Sequence, residues 1–185
     1  PVAPAPAPAA AAPAVRPRVL VFDLETQNSF DDVGGRGNIA ALRMSVGCTY
    51  EPDGDRQQVY TEAQVGELVD ALFAAELVVG FNVKHFDFSV LAGHLKRDYS
   101  KIRCLDLLED LHRRLGFRVK LDAVASATLG QVKSGHGLMA IEWFRKGEMD
   151  KLISYCQDDV KITWRVYQFG RDHGHVLIPN WNATR

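Results

Sequence analysis

The chain has little of three things that define large classes of protein: paired cysteines, long apolar runs and net charge. Its three cysteines, Cys48, Cys104 and Cys156, lie far apart and match no zinc-binding spacing. Each lies in an apolar stretch, which predicts buried free thiols in a reducing compartment, so we expect an intracellular, cytoplasmic protein. No apolar run is long enough to cross a bilayer, and we therefore expect no membrane partner.

The net charge of −1 over 185 residues excludes a protein that attracts nucleic acid through its overall charge. The charge is unevenly spread, because residues 94–120 carry eight Lys or Arg side chains against four acidic ones. A basic flank of this kind suits a nucleic-acid-binding surface beside an acidic site. Basic side chains scattered over solvated helix faces would give the same count.

The N-terminal segment differs in composition from the rest of the chain. Residues 1–17 consist mainly of Pro and Ala, and no charged region precedes an apolar stretch, which excludes a secretory signal. This composition is typical of a semi-rigid linker. We expect residues 1–17 to be a Pro/Ala-rich linker or arm, through which a fused or associated domain would be attached. Residues 18–185 would form one domain with a single core.

The order of the predicted elements indicates a mixed α/β sheet. Residues 19–22 are apolar on both faces, which predicts a central strand. Further strands are predicted over residues 42–50, 57–61, 77–81 and 102–107. Helices are predicted over residues 61–73, 85–97, 107–115, 121–129, 138–145 and 148–173. Three antiparallel strands followed by alternating helices and strands favour a sheet with helices on both faces.

Three separated segments carry acidic residues beside apolar runs. In VLVFDLET, strand periodicity places Asp23 and Glu25 on one face where the strand leaves the core. The second segment, GFNVKHFDFSVL, contains Asp87. In the third, SYCQDDVKIT, Tyr155 and Asp159 are four residues apart and face the same way on a helix. Because such carboxylates are costly to desolvate without a cation, the pattern predicts a site for a pair of divalent cations.

Each acidic residue also has an ordinary structural explanation. Asp23 and Glu25 could form a surface pair at a strand end, and Asp87 could interact with the dipole of the helix that it begins. Asp159 could be a solvated helix residue, and Asp158 is a weaker ligand candidate because it lies one position off the face. The joint occurrence of these residues, in this order and on these elements, favours the metal site.

Together, the three segments resemble the motifs of the DEDD superfamily of 3′–5′ exonucleases, in its tyrosine-bearing branch. FDLET is similar to the first motif, GFNVKHFD to the second and YCQDDV to the third. The resemblance covers about residues 18–170. The chain also resembles bacterial predicted exonuclease domains and polymerase proofreading domains. It implies a ribonuclease H-like fold, with a mixed sheet of five to six strands and helices on both faces.

The resemblance also implies a set of catalytic residues. Asp23, Glu25, Asp87 and Asp159 would hold two Mg²⁺ or Mn²⁺ ions. Such a pair lowers the pKa of bound water and stabilises the attacking and leaving oxygens of a phosphodiester displacement. Tyr155 would orient the nucleophilic water through a hydrogen bond, since a phenol with an ordinary pKa of ~10 is a poor proton acceptor at neutral pH.

Further residues are candidates for substrate contacts. Thr26 follows the acidic pair and would lie against the terminal nucleotide, and Asn82 would fix the second motif or contact the sugar–phosphate. Lys133 and His136 lie in the Gly-rich segment QVKSGHG, where the backbone can approach a phosphate closely. A plain flexible loop explains that segment equally well. Phe30, in the loop after the acidic pair, is a candidate for base stacking.

The leading hypothesis is a metal-dependent 3′–5′ exonuclease, a hydrolase that cleaves phosphodiester bonds at the 3′ end of single-stranded DNA or RNA. DNA is slightly ahead because of the broad resemblance to proofreading domains. A ribonuclease H-like endonuclease on the same scaffold is one alternative, and the Tyr-x3-Asp spacing argues against it. A non-catalytic nucleic-acid-binding module is another, and the presence of all five expected site residues argues against that.

Overall fold

The computed structural model describes residues 18–130 and 137–179. The predicted arm over residues 1–17 lies outside the described residues, as do Lys133 and His136. The described chain forms a five-stranded sheet with helices packed on both faces. This architecture confirms the predicted fold class.

The sheet has the strand order β3–β2–β1–β4–β5, with β1 at its centre. The strands are β1 Val19–Thr26, β2 Met44–Glu51, β3 Arg56–Thr61, β4 Leu77–Gly80 and β5 Cys104–Asp106. β1, β2 and β3 pair antiparallel, whereas β4 is parallel to β1 and β5 is parallel to β4. The carboxyl ends of β1, β4 and β5 therefore lie at the same end of the sheet. The three predicted motifs lie close to that end of the sheet or to the helix above it.

Six α-helices accompany the sheet in the described residues. They are α1 Val65–Ala74, α2 Asp87–His94, α3 Leu107–Leu115, α4 Leu121–Leu129, α5 Gly137–Lys146 and α6 Met149–His173. Five of them lie close to the predicted ranges. The sixth, α2, is shorter than the predicted helix over residues 85–97. The backbone N–H groups of residues 82 and 84 bond to Asp106, and these bonds hold the residues just before α2 in a turn. Beyond α2, Leu95 has an extended backbone.

The alternation of side chains along β1 separates two apolar clusters. Leu20, Phe22 and Leu24 pack on one face against α1 and α2. Val21 packs on the other face against α5 and α6. Asp23 and Glu25 follow Val21 at intervals of two residues, so they lie on the face that α6 covers. The strand period therefore decides which helix faces the two carboxylates.

The structure also tests two predictions made from the sequence, that the cysteines are free thiols and that no segment crosses a membrane. The three cysteines are free thiols, with Cys48 and Cys156 buried and Cys104 partly buried. This confirms the prediction of free thiols, and it confirms their burial at Cys48 and Cys156, whereas Cys104 is less buried than predicted. In the part of the chain that the structure describes, no helix combines the length and the apolar character needed to cross a membrane.

Candidate active site

β1 presents Asp23 and Glu25 at the point where regular strand pairing ends. Asp23 lies opposite Cys48 of β2, and Glu25 lies opposite Val46. The register then shifts between Glu25 and Thr26. A bulge of this kind turns the strand and is common beside active sites. Both residues are partly buried, so they keep some access to solvent while their backbone is fixed in the sheet.

α6 packs directly on this face of β1. The Cys156 thiol donates to the main-chain oxygen of Asp23, at an Sγ–O distance of 3.6 Å, and lies 4.0 Å from Oδ2 of the same residue. Tyr155 and Asp159 are 4% and 5% exposed, whereas Asp158 is exposed to solvent. The i, i+4 spacing therefore places Tyr155 and Asp159 toward the sheet and Asp158 away from it, as the sequence predicts.

The packing of α6 on β1 brings three carboxylates together. One oxygen each of Asp23, Glu25 and Asp159 lie within 4.8 Å of one another. Negative charges this close favour the binding of a cation between them. Carboxylate oxygens are the ligands that Mg²⁺, Mn²⁺ and Ca²⁺ prefer. The donor set thus fits a hard divalent cation, and we call these three residues the acidic cluster.

Tyr155 is held in place beside the acidic cluster by an aromatic contact. Its ring meets the Trp143 ring of α5 edge-on, with centroids 5.7 Å apart and an interplanar angle of 66°. Such edge-to-face pairs add to the stability that burial alone provides. The contact restricts the orientation of the tyrosine ring, so its hydroxyl has a defined position relative to Asp159 one helical turn later.

Asp87, the first residue of α2, lies next to β1 but is not one of the three residues in the acidic cluster. Its Oδ1 accepts a hydrogen bond from the N–H of Leu24, at 3.1 Å, and Leu24 lies between Asp23 and Glu25. Burial raises the pKa of Asp87 to about 8, and the charge of Asp106 adds to this increase. Because metal ligands bind in the deprotonated state, cation binding at Asp87 would release a proton.

Asp106, at the end of β5, is a residue whose importance the sequence analysis missed. Its Oδ1 accepts from the N–H groups of Asn82, Leu108 and Glu109, at 2.8, 3.0 and 3.2 Å. Its Oδ2 accepts from the Lys84 N–H at 3.0 Å. Asp106 therefore caps α3 and fixes the turn that contains the second motif. The signal in the sequence is the Asp-x-x-Glu spacing at residues 106–109, which is typical of a helix N-cap.

Asn82 has an unusual backbone conformation that Asp106 helps to maintain. Its φ angle is +69°, in the left-handed region that residues other than glycine rarely occupy. Its side-chain Oδ1 accepts a hydrogen bond from Nη2 of Arg118 at 2.6 Å. Asn is one of the few residues other than glycine that tolerate this region, so the conformation suits a turn. The substrate contact at Asn82 stays a prediction.

Thr26 lies at the end of β1, and its side chain is 8% exposed. The hydroxyl donates to the main-chain oxygen of Asn28 at 3.0 Å. The hydroxyl thus stabilises the turn that follows β1, and the contact of Thr26 with a terminal nucleotide stays a prediction.

The comparisons with known proteins agree with this fold. The model of a family described as the RNase_H superfamily matches residues 20–169, which include all three predicted motifs. A solved structure of the family B DNA polymerase from the hyperthermophilic archaeon Pyrobaculum calidifontis has a TM-score of 0.64 at 18% sequence identity. That match covers 84% of this chain and 25% of the polymerase chain, and at this identity it shows a shared fold. No curated protein matches the chain. The ribonuclease H-like fold implied by the resemblance is confirmed.

Proposed function

The chain belongs to the RNase_H superfamily, and we propose that it is a metal-dependent 3′–5′ exonuclease acting on single-stranded nucleic acid. Membership supports a nuclease-type hydrolase. The observation that carries the finer proposal is the acidic cluster, whose oxygens converge within 4.8 Å beside the buried Tyr155. DNA stays slightly ahead of RNA as the substrate.

The four carboxylates supply the proposed cation ligands. Asp23, Glu25 and Asp159 form one group of oxygen donors, and Asp87 would complete the set for two Mg²⁺ or Mn²⁺ ions. When bound, such ions stabilise the charge that develops on the phosphate and on the leaving oxygen. The ligands are held rigidly from both sides, because Asp87 bonds to the Leu24 N–H and Cys156 anchors α6 to Asp23.

Tyr155 has a positioning role in this proposal. Its hydroxyl would hold a water molecule in line with the scissile phosphate, and the Trp143 contact limits its movement. Correct orientation of a reactant can contribute several kcal/mol to the lowering of a reaction barrier. The tyrosine four residues before Asp159 is also the feature that favours an exonuclease over an endonuclease on the same scaffold.

The experiment uses single-stranded DNA and RNA of one sequence, each labelled at the 5′ end, with Mg²⁺, Mn²⁺ or EDTA. We expect a metal-dependent ladder that shortens from the 3′ end. Asp159→Asn should lower the rate about 10³-fold, since bound metal ions contribute several kcal/mol to stabilising the transition state. Asp158→Asn is the matched control, because that carboxylate is exposed on the same helix and should be dispensable.

The outcome on a circular single strand separates the alternatives. Cleavage of the circle would contradict an exonuclease and support an endonuclease. Oligonucleotide binding without hydrolysis under any metal condition, by a folded protein, would support a non-catalytic binding module. Equal losses in Asp158→Asn and Asp159→Asn would show that the acidic cluster is not the reacting centre.

A further inference from the structure

A cleft of about 490 Å³ opens between α3 and the C-terminal half of α6, and we call it the α3–α6 cleft. Leu111 lines it from α3, Val166 and Gly170 line it from α6, and Val176 lines it from the segment after α6. Val166 is seven residues beyond Asp159, which is about 10 Å along the helix axis. Among the described residues that line this cleft, none belongs to the acidic cluster, so the two sites are separate.

One side of the α3–α6 cleft is an apolar stripe along α3. Leu107, Leu111 and Leu115 follow one another at intervals of four residues, so their side chains lie on one side of the helix. All three are only partly buried, whereas Leu108 of the same helix is 5% exposed. A contiguous apolar surface that stays open to solvent is typical of an interaction site. The stripe therefore offers three anchoring positions to a ligand.

A further wall of the cleft comes from the segment after α6, which hydrogen bonds hold in place. The N–H of Leu177 donates to the hydroxyl of Thr128 on α4 at 2.9 Å, and that hydroxyl donates to the main-chain oxygen of Leu177 at 3.0 Å. Val176 and Ile178, on either side of Leu177, line the cleft. The wall is thus already formed in the free protein, and this favours binding because no segment has to be ordered first.

The charged residues that line the cleft carry an excess of positive charge. Arg114 of α3 and Arg171 of α6 face one carboxylate, that of Asp110. The two arginine side chains are 73% and 51% exposed. Arg114 pairs with Asp110 at 3.0 Å and Arg171 with Asp172 at 2.8 Å, but ion pairs this exposed contribute little to stability. Each guanidinium has five N–H donors, so both arginines can also bond to a ligand carboxylate.

We propose that the α3–α6 cleft docks a short amphipathic helix of a partner protein, with apolar side chains on one face and acidic side chains beside them. Leu107 and Leu115 are eight residues apart, which is about 12 Å along α3. This distance matches that between the first and third apolar anchors of a helix that binds in a groove. A stripe at intervals of four residues is also the ridge against which a second helix packs. Acidic residues on the two flanks would bond to Arg114 and Arg171, which lie on different walls of the cleft.

The test selects ligands from a displayed library of random peptides, each about 16 residues long, with the whole 185-residue chain as the target. A counter-selection on Leu111→Gln removes peptides that bind elsewhere on the surface. We expect the enriched peptides to carry apolar residues at helical spacing and a net negative charge, and to become helical on binding, as circular dichroism measures. The inference is overturned if no peptide that depends on the cleft is enriched, or if the enriched peptides are basic.

Fluorescence anisotropy with a labelled, selected peptide then tests the charged part of the cleft. The double variant Arg114→Gln/Arg171→Gln should weaken binding about tenfold, because it removes both positive charges that meet the acidic flanks. Arg113→Gln/Arg165→Gln is the matched control, since it removes the same charge from exposed positions on the same two helices that do not line the cleft. At physiological salt, where exposed charges are screened beyond about 8 Å, the control should weaken binding less than about threefold.

Leu111→Gln tests the apolar stripe. It should weaken binding about tenfold or more, because it places a polar group where an apolar anchor of the peptide packs. Circular dichroism and the urea midpoint establish that the variant is folded, and the two double variants provide a test that leaves the apolar stripe intact. Equal losses in the two double variants would reduce the effect to overall charge and would overturn the docking site.

Two further outcomes would assign the cleft to a different occupant and overturn the helix proposal. If the protein sediments as a dimer and Leu111→Gln makes it monomeric, the cleft is an interface between copies of this chain. If oleate binds in a way that depends on Arg114 and no peptide does, the cleft holds a small amphipathic anion. The inference goes beyond the proposed function and does not depend on it, so the absence of nuclease activity in the wild-type protein would leave the docking site standing.

Discussion

Asp87 and Asp106 are buried to the same extent, with 3% of each residue exposed, but their surroundings differ. Asp106 accepts hydrogen bonds from four backbone N–H groups, at distances of 2.8 to 3.2 Å. Asp87 accepts from the Leu24 N–H, and burial raises the pKa of its carboxyl to about 8. Equal burial therefore gives two carboxyl groups with different chemistry.

The difference shows how a structural carboxylate can be told from a candidate functional one. Four backbone N–H groups satisfy the oxygens of Asp106 within the fold, without a ligand. Burial raises the pKa of Asp87, and a perturbation of this kind is typical of groups that act on a ligand. We infer that Asp106 fixes the turn that contains the second motif, and that Asp87 is the residue of that motif that binds a ligand.

The largest expected effect is that of Asp87→Asn on activity. The amide can still accept from the Leu24 N–H, but it removes a proposed cation ligand. We expect the rate of nucleotide release to fall about 10³-fold. At pH 7 the free energy of unfolding should rise, because the buried Asp87 carboxyl ionises more readily in the unfolded chain, whereas Asn does not titrate. Nuclease kinetics and urea unfolding measure the two quantities.

Unchanged kinetics in Asp87→Asn would remove this residue from the catalytic set and would leave the acidic cluster as the whole metal site. A large loss of stability with normal kinetics would make Asp87 a structural residue like Asp106, and the contrast between the two would be lost.

The second effect is that of Asp106→Ala on stability. The substitution leaves the N–H groups of the turn and of the α3 N-terminus without their acceptor. Each unsatisfied buried donor costs about 1–3 kcal/mol, so with partial access of water we expect a loss of about 3 kcal/mol in unfolding free energy. Asp106→Asn should lose less, since one oxygen remains as an acceptor. Urea unfolding monitored by tryptophan fluorescence measures both variants.

The contrast between Asp87 and Asp106 would be contradicted if Asp106→Asn abolished nuclease activity while its unfolding curve matched that of the wild type. Asp106 would then act on the substrate or on a cation. A parallel loss of stability and activity is the outcome that we expect from a residue that only positions the second motif.

The smallest effect concerns the other end of α2, where His94 provides a titratable group of opposite sign. Its Nε2 accepts from the Met44 N–H at 2.9 Å, which requires an unprotonated nitrogen. Burial lowers the pKa of His94, and nearby Arg43 adds to this effect, whereas Glu62 opposes it. The unfolded state therefore binds the proton more readily. This contribution to stability is complete above the unfolded pKa of ~6.5 and is lost as the pH falls through the folded pKa.

We therefore expect the urea midpoint of the wild type to fall between pH 7 and pH 5.5. The fall should be smaller in His94→Gln, whose side-chain oxygen can accept from the Met44 N–H without titrating. An equal fall in the two proteins would assign the pH dependence to other groups, such as Glu62.

Much of the site follows from local periodicity, which is a property of the sequence itself. The two-residue period of a strand puts Asp23 and Glu25 on one face, and the spacing of four puts Tyr155 and Asp159 on one side of a helix. The apolar pattern also predicts the order and type of the elements. The helix predicted over residues 85–97 is wrong at its ends, because the turn before Asp87 depends on a distant strand.

The sequence by itself thus determined the sheet, the helices and the faces on which the acidic residues lie. Only the tertiary structure decided that Asp159 approaches Asp23 and Glu25 within 4.8 Å, since this distance depends on how α6 packs on β1. The same is true of the turn held by Asp106. Periodicity acts over a few neighbouring residues, whereas these contacts join residues more than 20 positions apart and form only when the elements pack together.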